Sequence, residues 1–198
     1  RRLIKRSTKK LDQLKNVKFL LRENERPVEV NMAEFMDAEH ANWKGETHGS
    51  IKSHPGHAEA LKTAAEEFER RGWMEWNFIE ADNRTIAAHY SIRVNRIVYV
   101  IKIGFVDEYK FCSPGNLLFY KMIENSFNNK DVDAINLTAD CHWHRQWGIT
   151  PRQLYDCLIM PNLPVVSLII KIIFKLMRKL KDRPLSTYSC KKGCNNED

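Results

Sequence analysis

The 198-residue sequence has no apolar run long enough to cross a bilayer, no regular cysteine spacing and no internal repeat. Its longest apolar stretch near the C-terminus, LPVVSLIIKIIF, is short and carries Lys171, so it does not read as a membrane span. The five cysteines (Cys112, Cys141, Cys157, Cys190 and Cys194) are odd in number and unevenly placed. That argues against a disulfide scaffold and for a reducing, cytoplasmic setting. The chain begins at Arg1 rather than methionine, which reads as a fragment or a processed product, and no signal peptide is visible in it.

What is present describes a globular domain: 43% apolar residues and 10% aromatics, enough to bury a substantial core. The net charge of +7 is unevenly spread. Residues 1–10 carry +6 and residues 171–183 carry +5, which leaves the rest of the chain at −4. Basic ends on a mildly acidic body are a poor nucleic-acid footprint, so nucleic acid is not expected as a partner.

Along the chain, residues 17–23 read as a first strand, and the later part of the stretch after Pro27 reads as a helix stopping at Gly45. Residues 46–57 form a loop punctuated by Gly49, Pro55 and Gly56. The next helix, residues 58–72, lines one face with Leu61, Ala64, Ala65 and Phe68 and ends at Gly72. The period then changes. Residues 73–80 alternate, with Met74, Trp76 and Phe78 on one side; residues 85–94 and 97–105 alternate again, joined by short turns at 82–84 and 95–96. Gly104 marks a bulge or a close backbone approach. A helix runs from Ser113 to about Asn128, residues 133–140 form a strand parallel to the meander's last, and residues 152–159 form a final strand.

The fold class is therefore α/β, an α+β mixed sheet in which an antiparallel meander is followed by a helix crossover to a parallel strand. Ligands on such sheets favour the splayed strand ends, which places residues 104–108, 112–116 and 138–140 around one crevice. Four segments follow: a basic leader with the first strand (1–26, read as the remnant of an upstream domain), the main domain (27–160), a basic amphipathic helix (161–183) and a flexible tail (184–198).

The segment CSPGNLL opens the crossover helix. Ser113 suits an N-cap and Pro114 the first helical position, while Gly115 lets a ligand approach the backbone. The N–H groups of Gly115, Asn116 and Leu117 would suit a phosphate, although ordinary capping explains the same residues.

Together with EHANWKG (39–45), the block from Arg84 to Phe127 and DVDAINLTADCHWHRQW (131–147), this segment resembles the GNAT N-acetyltransferase superfamily. Within it the pattern is similar to CelD-like acetyltransferases associated with cellulose biosynthesis, relatives of the FemAB-type transferases. The similarity covers roughly residues 31–159. The sequence departs at Ala139, Trp143 and His144, where the family pattern has Gly, Tyr and Lys; Trp147 agrees.

The resemblance implies a GNAT-like fold and transfer of an acyl group from acyl-CoA (acetyl-CoA) to a small-molecule or sugar-amine acceptor. It implies a pyrophosphate cradle at Ser113, Pro114, Gly115, Asn116 and Leu117. Backbone at Ile103, Gly104, Phe105 and Val106 would polarise the carbonyl. His40, Trp43, Trp143 and Trp147 would face the acceptor, and an upstream GNAT-like domain in tandem is a family arrangement.

Asp140 and His144 are the leading candidates for general base and Glu108 the third; a helix-cap role for Asp140 and an exposed helical position for His144 are the plainer alternatives. A FemAB-like enzyme using charged tRNA and a non-catalytic scaffold in an envelope or polysaccharide system are the other readings. Cys141, His142 and His144 are crowded rather than paired as zinc ligands are, so no metal is expected.

The C-terminal helix places Lys171, Lys175 and Arg178 opposite Ile169, Ile172, Ile173 and Leu176. Such a face suits peripheral contact with a membrane's inner face through residues 163–181, or packing on the sheet or a partner domain.

Overall fold

The computed structural model describes residues 2–139, 141–150 and 164–181. The chain divides into two compact units, residues 1–138 and 139–198. The strand expected at residues 152–159, the tail, Asp140, Cys157, Cys190 and Cys194 lie outside the described residues.

The first unit is built on a five-stranded mixed sheet in the order β1-β2-β3-β4-β5: β1 Lys18–Glu23, β2 Met74–Ala81, β3 Arg84–Val94, β4 Ile97–Phe105 and β5 Ala134–Asn136. The first four strands pair antiparallel, and β5 runs parallel to β4. Both hairpins turn on two left-handed residues, Asp82 and Asn83 at φ 51° and 63°, Asn95 and Arg96 at φ 50° and 64°. This is the type I′ geometry whose twist matches the flanking strands.

Each face of the sheet is covered. On one side lie α2 (Val28–His40) and α4 (Pro55–Arg70). There Phe35 packs against Trp76 and Tyr90 at ring-centroid distances of 6.1 and 5.7 Å, and the Tyr90 hydroxyl donates to the Leu61 carbonyl at 3.2 Å. On the other side lie α5 (Pro114–Asn128) and α1 (Arg2–Leu11). The basic leader is thus helical, and Leu11 is buried in the core.

Several expectations are corrected. The helix after Pro27 does not run to Gly45: it ends at His40, and Gly45 falls inside a short helix, α3 (Trp43–Glu46). A Cβ on Gly45 would collide with the His40 carbonyl oxygen, so close approach, not helix termination, requires glycine there. α4 starts earlier than expected, with Pro55 at its beginning. The parallel strand is three residues long rather than eight. The Asn136 side chain accepts from Thr138 N–H at 2.8 Å, an Asx-type turn that ends the strand, and Thr138 itself is left-handed at φ 56°.

The second unit contains a 3₁₀ segment, His142–Trp147, and α6 (Pro164–Lys181). No described helix is long and apolar enough to cross a membrane.

Candidate functional site

β5 pairs only with Ile97, Val98 and Tyr99 of β4. Thr138 closes the pairing by donating its hydroxyl to the Val100 carbonyl at 2.9 Å. Beyond that point no described strand lies along the outer edge of β4, so the sheet opens there. Val106 N–H donates inward to Ile86 O at 3.0 Å. Peptide groups alternate sides along a strand, so Gly104 also faces β3 while the Phe105 peptide faces the open edge.

α5 begins beside this edge. A Cβ built on Gly115 would lie 3.7 Å from Phe105 Cδ1 and 4.0 Å from Ile103 Cγ2, ordinary contact distances. The helix N-terminus and the end of β4 are therefore adjacent at Gly115, Ile103 and Phe105. Pro114 occupies the first helical position. Ser113 differs from expectation: it is left-handed, at φ 49° and ψ 56°, and its side chain makes no capping bond. Its carbonyl instead accepts from Leu117 N–H at 3.1 Å, which closes the first helical turn. Gly115 lies in that turn, where the helix supplies no carbonyl for its N–H.

Gly104 serves the opposite face. A Cβ there would lie 2.7 Å from Glu39 N and 2.9 Å from Glu39 Cα. The end of α2 presses on β4 at this point, which explains the close approach signalled by the glycine.

A groove of about 520 Å³ opens where α2 meets β3 and the exit of β4, lined by Glu34, Asp37, His40, Arg84, Thr85 and Val106 among others. His40 is held by a 2.8 Å hydrogen bond between Nδ1 and Ser50 Oγ. Glu34 accepts from the Thr85 hydroxyl at 2.6 Å and pairs with Arg26 at 3.1 Å; Asp37 pairs with Lys52. Glu108, on the 3₁₀ segment Asp107–Cys112, is exposed and pairs with Arg84 at 3.2 Å. Neighbouring Tyr109 is buried, and its hydroxyl donates to Asp82 at 3.3 Å, a packing arrangement.

The second unit holds His144, Trp143 and Trp147 on one 3₁₀ segment. His144 is buried rather than exposed. Its Nδ1 accepts from Cys141 N–H at 3.3 Å, and Trp143 meets its ring edge-on at 4.2 Å. Trp43 opens α3. Among the described residues no group of three or more His, Cys, Asp or Glu is arranged to hold a metal.

Sequence reasoning missed a buried polar stripe beneath α5. Glu75 and Asn77 of β2 stand opposite Ser91 and His89 of β3, and His89 in turn stands opposite Ile103. All four polar residues are buried. Neither His89 ring nitrogen, nor Asn77 Nδ2, nor Ser91 Oγ has a hydrogen-bond partner among the described residues. Burial lowers the His89 pKa to about 3. Burial also raises the Glu75 carboxyl, against the opposing pull of Arg22 at 3.8 Å and Arg93 at 3.4 Å. Arg22 further grips Asp131 at 3.0 Å, linking the edge strand to the segment after α5. The available signal was Glu75 and Asn77 alternating with aromatic residues in a strand whose neighbours are also strands.

Comparison with known proteins gives one family and a shared fold. The acetyltransferase (GNAT) domain profile matches residues 1–143. A protein described as a possible acetyltransferase from Clostridium difficile 630 superposes with a TM-score of 0.53 at 9% identity, covering 73% of this chain and 99% of its own. An aminoglycoside acetyltransferase from an uncultured soil metagenomic sample does so at 0.51 with 7% identity, covering 74% and 99%. At these identities the likeness is one of fold. No curated protein matches the sequence.

Proposed function

The chain belongs to the acetyltransferase (GNAT) domain family, and on that premise we propose that it transfers an acyl group from acyl-CoA to an amine, within the CelD-like branch. The observation that carries the reading is Gly115, at the N-terminus of α5, within contact distance of Ile103 and Phe105 on the open edge of β4. That arrangement suits a pyrophosphate on the helix N-terminus and a thioester along the strand. Phe105 N–H is the donor that would polarise the carbonyl, because Val106 N–H is already held by Ile86.

In the reaction the amine nitrogen attacks the thioester carbon, the C–S bond breaks, a base takes the amine proton and an acid returns one to the thiolate. His144 and Asp140 are the bases we propose, with Glu108 third because Arg84 holds its carboxylate. The acceptor we propose is a sugar amine or similar small molecule, seated in the groove that bears Glu34, Asp37 and His40. One solved relative of the fold acts on an aminoglycoside, which agrees with that acceptor class.

Thermal shift with acetyl-CoA and longer acyl-CoA donors tests the reading. Stabilisation by acetyl-CoA that disappears in Gly115→Glu, with the unliganded melting temperature retained, supports it. Silence with every coenzyme A species removes the donor and favours a non-catalytic module, for which the replaced Tyr-Lys pair at Trp143 and His144 is the supporting feature. Stabilisation by charged tRNA alone would favour the FemAB-like alternative.

A further inference from the structure

α6 contains no acidic residue and carries five basic ones, Lys171, Lys175, Arg178, Lys179 and Lys181. On a helix of 3.6 residues per turn, Lys171, Lys175, Arg178 and Lys179 share one side with Ser167. Val166, Ile169, Ile172, Ile173 and Leu176 fall on the other. The apolar side is not buried: Leu176 is 56% exposed, and Ile169, Ile172 and Ile173 each 51%. Of the twelve exposed large apolar residues among those described, seven belong to this helix. An apolar stripe of that density in water marks a surface that another apolar phase covers.

We infer that α6 is a docking surface for an anionic lipid membrane, lying in the plane of the interface rather than crossing it. Charge complementarity selects the occupant. A protein groove would need only the isoleucine face, whereas a basic side with no acid anywhere in the helix's eighteen residues matches a layer of phosphate headgroups. Lysines at 171 and 175, both exposed, interrupt the apolar run and prevent it from spanning a bilayer. Those same lysines suit headgroup depth, with their stems lying along the acyl boundary.

Co-sedimentation of the full chain with vesicles tests the inference. The chain should pellet with vesicles containing roughly one-third phosphatidylglycerol and not with pure phosphatidylcholine, and salt at about 0.5 M should release it. Lys171→Gln with Lys175→Gln should weaken partitioning about 30-fold, from about fivefold per lysine near a charged surface. Ile172→Ser with Ile173→Ser should also abolish pelleting. Circular dichroism melts check that both variants fold, and the two act on opposite sides of the helix, so one suffices if the other misfolds. Absence of pelleting with anionic vesicles, or pelleting indifferent to the lysine change, overturns the inference. So does lipid-free self-association that only the isoleucine variant removes, because that result assigns the face to a second copy.

Discussion

His89 should make the fold acid-sensitive in a way that one substitution removes. Its ring lies in the middle of β3, fully buried, with neither nitrogen hydrogen-bonded among the described residues. Burial holds its pKa at about 3, against about 6.5 in an unfolded chain. The folded value is the lower of the two, so as pH falls through about 6.5 the unfolded state takes the proton first. The fold then loses about 1.4 kcal/mol for each further pH unit, and up to roughly 5 kcal/mol by about pH 3. That is comparable to the whole stability of many domains.

Urea unfolding of wild type and His89→Leu, at steps from about pH 7 to about pH 4, isolates this effect. The carboxylates of Asp131, Asp133 and Glu124 are held below their usual range by arginine or lysine partners, and they weaken both proteins equally on acidification. They cancel in the difference. Near pH 7 the leucine variant should match or exceed wild type, since it removes two unpartnered buried nitrogens. Below about pH 6 wild type should fall away from it with a slope near 1.4 kcal/mol per pH unit. Parallel pH profiles for the two proteins would refute the reasoning and show that His89 has a hydrated or partnered ring.

Gly104→Ala should destabilise by about 1–3 kcal/mol, because its Cβ meets Glu39 backbone rather than a movable side chain; an unchanged urea midpoint would show that α2 yields freely. Gly115→Ala should leave stability unchanged within about 1 kcal/mol, since its Cβ finds only ordinary contacts at 3.7 and 4.0 Å. Arg22→Met leaves buried Glu75 with Arg93 as its remaining ion-pair partner. It should cost about 2–4 kcal/mol by urea unfolding, mostly recovered when Glu75→Gln is added. His144→Ala should lower turnover sharply while acetyl-CoA still raises the melting temperature; wild-type turnover would take His144 out of the mechanism.

The elements legible in the sequence were those with local chemistry. Asn95-Arg96 and Asp82-Asn83 turn where two alternating strands meet, and both adopt the left-handed pairs that hairpins need. Pro114 marks the start of α5 and Gly104 a close approach, each for the expected reason. What escaped was tertiary. Glu75 and Asn77 alternate with Met74, Trp76 and Phe78 as if one face met water, but α5 covers that face and both are buried. The strand at 133–140 stops early because the Asn136 side chain captures a backbone N–H, a competition that apolar periodicity does not register. Leu11 anchors a helix whose other residues are mostly charged, so the leader showed no apolar run. At the candidate site the start of α5 was readable because proline constrains the backbone, whereas burial of His144 depends on contacts that only folding creates.

The three-residue pairing of β5 has a kinetic consequence. β3 is hydrogen-bonded along both edges for most of its length, whereas β5 pairs with Ile97, Val98 and Tyr99 on one edge only, with single backbone anchors beside it at Asp133 and Thr138. The two sides of the opening therefore differ in compliance. Amides of β3 should exchange with solvent only when the whole unit unfolds, and those of Ala134, Ile135 and Asn136 through a small local detachment. The opening has one stiff wall and one that gives. A guest seated along β4 would meet a fixed backbone on its inner side and a movable flap on its outer side, and its arrival would register first as slowed exchange in β5.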